Sequence, residues 1–375
     1  MKILYFSAII PSQIGAASYT DYTILKHLSE LHTIDAVIIK SNKDTGNIPD
    51  FFNQMFLFNL NNFKRIIRAL LFFYLPGMMV YRLDFKIRNK LLGLLKNDYD
   101  IILFSMSQTA IYALLLRKYI KSRKILIIHD VLQQVFLRKY INEKNIIKKI
   151  FYYAEYFKLK HAENKIYNVF ECCIVQNEKD KKLLKNVSTN IKVIIPPYKQ
   201  YNYSDIAADR DLFCLCFFGS FARFENIDAV THYLNTIHKR MIHEIPNYKY
   251  IIIGIEAEKH FKSDKYTEVY GFQNDPSVIL NRCRASVITL RYGAGIKIKV
   301  LELLCMGLPC FCTTVASEGI SEVDGLITND NLTELGNNIM DFYKNDNYNK
   351  TRIRENFLAK YGQEKNKERL SSIIY

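Results

Sequence analysis

Glycine and proline are scarce, at 14 and 8 of 375 residues. That argues against a long flexible linker or a low-complexity tract, and no segment repeats internally. No cysteine pair has the C-x2-C spacing of a zinc site. The closest sets among the eight are Cys172-Cys173, Cys214-x-Cys216 and Cys310-x-Cys312. Both C-x-C pairs lie in apolar, strand-like runs, where a period of two puts both thiols on one face. Core packing in a reducing cytosol is therefore their expected role. Long apolar runs are missing too. The longest, Ala69–Val80, is broken by Pro76-Gly77 and falls short of the ~20 residues that a spanning helix needs. Met1–Phe6 is followed closely by Pro11 and reads as a first strand rather than a signal peptide.

Acidic charge is in deficit as well. Lys and Arg number 52 against 37 Asp and Glu, a formal net charge of +15. Such a surplus favours an anionic partner: nucleic acid, a phosphorylated substrate or an anionic membrane face. Much of it is Lys accompanied by many Ile and Asn residues, so charge alone discriminates poorly. Two stretches combine it with aromatic residues: Phe63–Arg88, which holds the broken apolar run, and Arg138–Lys160. A basic, aromatic-rich stretch can lie on an anionic bilayer; the plainer alternative is a core helix with solvated basic residues.

What remains is a globular composition, 49% apolar and 24% charged, in a chain long enough for two cores. Short apolar runs alternate with helical periodicity. Strands are expected at Lys2–Phe6, Ile34–Ile39, Asp100–Phe104, Lys124–Ile128, Cys172–Gln176 and Lys192–Ile195, with helices such as Tyr19–Leu31 and Gln108–Ile120 between them. Pro196-Pro197 and the polar stretch to Asp211 read as a linker. A second series follows: strands Phe213–Phe218, Tyr248–Ile253, Thr267–Tyr270, Ala285–Leu290, Pro309–Thr313 and Gly325–Thr328, with helices Asn226–His243, Ile296–Met306 and Asn331–Tyr343. Alternation of this kind predicts two doubly wound α/β domains with parallel sheets, residues 1–197 and 198–350, facing across a cleft. A helical tail, 351–375, is expected to pack back on the first.

In open parallel sheets ligands gather at the carboxyl ends of the strands, which sorts the polar residues. The first strand runs into a loop holding Gly15 and a helix expected to begin near Ser18, whose free N–H groups can face an anion; an ordinary loop with Ser18 as N-cap reads equally well. Lys124–Ile128 ends in His129-Asp130. Asp98-x-Asp100 resembles a metal–diphosphate signature but precedes its strand, at the wrong edge, so no metal site is expected. In the second domain, Phe213–Phe218 ends in Gly219-Ser220-Phe221-Ala222-Arg223, and Tyr248–Ile253 ends in Gly254, which is expected to serve a turn. Ala285–Leu290 leads into Gly293-Ala294-Gly295-Ile296-Lys297-Ile298-Lys299-Val300-Leu301-Glu302. Two glycines free the backbone before a helix whose N-terminus can cradle a diphosphate. Lys297 and Lys299 in its first turn would oppose the helix dipole, so a bound anion explains them better than helix stability. Glu302 can accept hydrogen bonds from vicinal hydroxyls such as those of a ribose.

Gly293–Glu302, continuing to Gly307-Leu308-Pro309 and Thr313–Ile320, resembles the G-A-G-x-K-x-K-x-x-E-x-x-x-x-G-x-P segment of GT-B glycosyltransferases, most closely the retaining family 4 (group 1) enzymes. Gly219-Ser220 with Asn226–Ala229 resembles the first strand–turn–helix of their C-terminal domain, and Cys173–Asp180 the last strand of their N-terminal one. The resemblance implies GT-B architecture and a nucleotide-sugar donor. It assigns Glu302 to the ribose, Gly295, Lys297 and Arg223 to the diphosphate, and His129 to the transferred sugar. It also implies retention without a metal or other cofactor. The chain departs from the pattern at Ala294, where many members carry a second, sugar-contacting glutamate. The leading reading of the acceptor is a surface polysaccharide or a lipid-linked glycan, the latter favoured by the stretches Phe63–Arg88 and Arg138–Lys160, with a soluble acceptor as the alternative; the enzyme is expected to be cytoplasmic or peripheral at the inner membrane face. Alternatives are an epimerase on the same fold, for which no convincing carboxylate pair is present, a non-catalytic nucleotide-sugar-binding module, and a basic nucleic-acid-binding protein. The last is disfavoured because the aromatic residues are spread through core-like runs rather than gathered on one element.

Overall fold

A computed structural model describes residues 1–13, 15–40, 48–60, 62–187, 190–203, 212–293, 295–345 and 348–375. The chain divides into two compact units, residues 1–197 with 366–375, and residues 198–365.

The first unit is built on seven strands: β1 (Lys2–Ser7), β2 (Thr33–Lys40), β3 (Gln54–Asn59), β4 (Ile101–Ser105), β5 (Arg123–Ile128), β6 (Cys172–Val175) and β7 (Ile191–Val193). All pair in parallel in the order β3-β2-β1-β4-β5-β6-β7. Side chains alternate between two buried faces, as a sheet covered on both sides requires. Leu4, Phe6, Phe104 and Leu126 join one apolar cluster, and Ile3, Tyr5, Leu103 and Ile125 join the other. Strand β3 was not expected from sequence. Its apolar run, Met55–Phe58, is as long as those of the central strands, but none of its residues is buried. At the amino edge, Asp100 accepts the Lys2 N–H at 2.7 Å and so fixes a strand start. Helix Ala16–Ser29 begins earlier than expected. Gly15, at φ 87° and ψ 145°, is its N-cap, and Ser18 lies inside the first turn. That backbone conformation is open essentially to glycine alone.

The second unit carries β8 (Phe213–Phe218), β9 (Tyr248–Ile253), β10 (Thr267–Tyr270), β11 (Ala285–Ile288), β12 (Cys310–Cys312) and β13 (Leu326–Thr328). Their order is β10-β9-β8-β11-β12-β13, again all parallel. The single helix expected over Asn226–His243 is two, Phe224–Asn235 and Ile237–Glu244, parted at Thr236 with ψ −92°. All eight cysteines are buried and free.

The C-terminal tail is also two helices, Lys350–Tyr361 and Gln363–Ile374. The expectation that all of 351–375 packs on the first domain needs correcting. Lys350–Tyr361 stays with the second unit, where Phe357 packs on Tyr198 and the Tyr198 hydroxyl donates to the Tyr361 carbonyl at 3.0 Å. Only the last turns, with Leu370, Ile373 and Ile374, enter the first unit's core.

The order of strands reverses direction at β1/β4 and at β8/β11, the switch points where α/β sheets open a crevice. At the second of these, Gly254 does more than turn the chain. Its φ is +146°, and a Cβ there would lie 1.7 Å from the Gly219 carbonyl oxygen. Gly254→Ala is expected to destabilise the second unit by roughly 3 kcal/mol, at the upper end of ordinary point mutations. A urea midpoint within error of wild type would show that the two backbones can part at little cost.

Candidate functional site

At the carboxyl end of β8 and β11, the second unit gathers most of the residues singled out by sequence. Gly293 and Gly295 adopt φ +119° and +71°, which keeps these two positions out of helical geometry. The helix therefore starts at Ile298, two residues later than expected. Lys297 is its N-cap, with φ −96° and ψ 100° and no side-chain cap of its own, and the helix runs to Cys305. Ala294 lies outside the described residues.

The two lysines diverge. The Lys297 ammonium donates to the Gly295 carbonyl at 2.5 Å and stands 3.8 Å from the buried Glu318 carboxylate. Lys299 turns the other way, towards β8. Its ammonium donates to Asn226 Oδ1 at 2.6 Å and sits over the Phe217 ring at 4.2 Å. A Cβ on Gly219 would come within 2.7 Å of that ammonium, so the missing side chain at Gly219 is what admits Lys299. Burial, then the charges of Arg223 and Lys297, push the Lys299 amine down to about 7. Arg223 is the N-cap of helix Phe224–Asn235. Its side chain is 65% exposed, with Nε 3.8 Å from Glu225.

Glu302 lies one turn past Lys299, 9% exposed. One of its oxygens accepts the Lys199 N–H at 3.2 Å. Burial raises its carboxyl to about 7, against the pull of that hydrogen bond and of the Lys199 and Lys299 charges. A buried carboxylate with spare acceptor capacity, near two lysines and a glycine loop, can take hydroxyl donors on one side of an anion held by the other. Asn226, Glu318 and Lys199 were not singled out as site residues by sequence, although Asn226 and Glu318 fall inside the segments that carried the resemblance. Lys199 acts through its backbone, which no side-chain pattern reveals.

Gly15 and His129 belong to the first unit. His129 follows β5, but its ring turns inward and is 6% exposed. Nε2 lies 3.0 Å from Asp21 Oδ1 and 3.1 Å from Ser105 Oγ, and Nδ1 is 2.8 Å from Gln176 Nε2. Asp21 also accepts from the Tyr5 and Ser105 hydroxyls, both at 2.6 Å. Burial resists charging this ring, yet the charge and hydrogen bond of Asp21, helped by Asp130, outweigh it and raise its pKa. The turn after His129-Asp130 is held by Glu163, wholly buried, which accepts the Leu132 and Gln133 N–H groups and the Tyr167 hydroxyl. Asp21 left one trace in the sequence: a carboxylate at the helical spacing of the buried Ile24, Leu25 and Leu28. Among the described residues, no group of three or more His, Cys, Asp or Glu is placed to hold a metal ion.

Two measurements test these electrostatics. Between the ordinary 4.5 and about 7, folded Glu302 keeps a proton that the unfolded chain has lost, so stability falls as pH rises through that window, by up to roughly 3 kcal/mol. Glu302→Gln should flatten that part of the stability–pH curve; an unchanged slope would show the carboxyl is not perturbed. Asp21→Asn should drop the His129 pKa below the usual imidazole value, because burial then acts almost alone. An NMR titration of the ring that does not move would contradict the coupling.

Residues 213–345 match the family model described as glycosyl transferases group 1. No curated sequence matches the chain significantly. In structure the chain is similar over its whole length to a lipopolysaccharide outer core galactosyltransferase, WaaB, in its apo form (TM-score 0.69, 13% identity, 100% of both chains). It is likewise similar to HepE from Anabaena in complex with UDP and glucose (0.66, 13%, 100% of this chain and 99% of that one), and to sucrose-phosphate synthase from Thermosynechococcus elongatus (0.67, 12%, 100% and 98%). With its two parallel-sheet units the chain has the fold of these GT-B glycosyltransferases, and residues 213–345 of its second unit carry the match to the group 1 family.

Proposed function

We propose that the chain transfers a sugar from a nucleoside-diphosphate donor to a surface-polysaccharide or lipid-linked acceptor, with retention at the anomeric carbon and without a metal. What supports the donor half is one arrangement: two positive-φ glycines, two lysines and the buried Glu302 carboxylate at the switch point of the second sheet. Glu302 receives the ribose hydroxyls. Gly295 with its loop N–H groups, Lys297 and Arg223 receive the diphosphate, with Gly219 leaving room beside them. Lys299 acts one step back, holding Asn226 and adding positive potential.

In the transfer itself the bond from the anomeric carbon to the diphosphate oxygen breaks, and a bond from an acceptor hydroxyl forms on the same face. The hydroxyl proton passes to the departing diphosphate, so no separate base is required. The chain's part is to hold the two reactants and to stabilise charge building on the leaving group. Lys297 suits that task. Its ammonium is held between a carbonyl and Glu318, and an arriving diphosphate would offer it the stronger partner. His129, held by Asp21, Ser105 and Gln176, is assigned to the transferred sugar by family resemblance. UDP-sugars are the first donors to test, because HepE was solved with UDP and glucose.

Glu302→Ala should weaken nucleotide binding by 10- to 100-fold, about the worth of one or two hydrogen bonds to a charged group. Lys297→Ala should cut kcat further than it raises KM. A thermal-shift screen of UDP-, GDP-, ADP- and CMP-sugars reads the first, since a ligand at a hundred times its Kd adds about 2.7 kcal/mol; steady-state transfer reads the second. Full activity in Glu302→Ala would sink the donor assignment.

A further inference from the structure

Helix Asn62–Leu71 is inside out. Ile66, Ile67, Leu70 and Leu71, at the i, i+1, i+4, i+5 spacing of one helical face, are 59%, 41%, 72% and 66% exposed. Its arginines turn the other way. Arg65 is 8% exposed with its guanidinium over the Tyr81 ring at 4.2 Å, and Arg68 reaches Asp84 at 2.9 Å. A water-facing helix carries the opposite polarity. A second apolar stripe belongs to helix Ile146–Tyr167, where Ile147, Ile150, Phe151 and Phe157 are all more than half exposed. The segment that follows the first helix is tied to the second. The N–H of Gly77, just beyond the exposed Phe73 and Tyr74, donates to Glu155 of the second helix at 2.8 Å.

Charge decides what covers this face. No Asp or Glu occurs from Phe51 to Leu83. Helix Ile146–Tyr167 has only two acids, Glu155 and Glu163, and both are buried, while Lys148, Lys160 and Lys165 are exposed. A second copy of the chain would bury the apolar side chains but set lysines against lysines, which an interface penalises. An anionic bilayer meets both demands, taking apolar side chains at the acyl boundary and cations at the headgroups. No helix among the described residues is long and apolar enough to cross a membrane, so the contact is along the surface. We propose that this face of the first unit, made of helix 62–71, the turn at 72–74 and the first three turns of helix 146–167, docks on an anionic lipid bilayer.

Flotation of the full-length protein with vesicles of phosphatidylglycerol and phosphatidylcholine tests it, alongside pure phosphatidylcholine vesicles. Binding should fall more than tenfold on the neutral vesicles. It should fall at least tenfold in Ile66→Asp/Leu70→Asp, and likewise in Ile147→Asp/Phe151→Asp. Lys148→Gln should cost about fivefold, the usual share of one basic residue near such a surface. Circular dichroism and nucleotide thermal shifts, which should not change, establish that the variants fold and keep this test independent of the donor assignment. Equal binding to both vesicle types, or undiminished binding by both double variants, overturns the proposal. So does failure to bind, whether the protein stays single or doubles its mass in light scattering; the doubled mass would identify a second copy as what covers the face.

Discussion

Two backbones meet at the carboxyl end of β8 so closely that Gly254 can carry no side chain. Gly254 presses on the Gly219 carbonyl from the β9 side, and the Lys299 ammonium occupies the place of a Gly219 Cβ from the other. Everything proposed for the donor hangs from this contact. The Gly219 N–H pairs with the Ile253 carbonyl at 3.0 Å, which extends the β8–β9 ladder by one bond past the strand ends and aims the turn towards Arg223. Lys299 is admitted only because that turn is bare. Asn226, holding Lys299 with its side-chain oxygen, uses its amide nitrogen to bond the Ser220 carbonyl at 2.6 Å. The β8 turn, the helix after it and the helix after the second glycine loop are thereby tied through two side chains and no long connection.

The electrostatics follow from the same crowding. Lys299 and Glu302 share one helix and both are drawn towards neutrality, the amine down and the carboxyl up. Groups perturbed in this way are commoner at binding sites than in structural ion pairs. The His129 network of the first unit is the opposite case. Asp21 binds two hydroxyls as well as the ring, so the charge there is met by fixed partners and the ring is held in one orientation.

Much of this was legible in the sequence because the central strands announce themselves. Phe213–Phe218, Tyr248–Ile253 and Thr267–Tyr270 were read with the bounds the structure gives them, being apolar or β-branched runs stopped by polar residues or glycine. The edge strand Gln54–Asn59 was not, although Met55–Phe58 is an apolar run; at the edge of the sheet none of its residues is buried. Helix starts were misplaced by two or three residues at Gly15 and at Lys297. Both errors have one origin: a positive-φ glycine can be a cap or lie in the loop before it, and spacing does not distinguish the two. The glycines, lysines and glutamate of the donor loop could be named one by one. Their partners could not, because Asn226, Lys199 and Gly254 are brought in across sequence separations of about 35 to 100 residues that no local pattern encodes.

The chain leaves the first unit after Pro197 and returns to it at Asn366. On the returning segment, the Asn366 amide brackets Ile195 with two hydrogen bonds, Arg123 donates to the Ile374 carbonyl, and Leu370, Ile373 and Ile374 complete an apolar cluster begun by Ile3 and Tyr5. During synthesis those residues emerge after the whole of the second unit. The first unit is translated in full some 170 residues before the piece that closes its core exists, so its final packing waits for the second unit to be made. Vectorial folding is thus reversed here: the first unit depends for completion on residues 366–375, which follow the second unit.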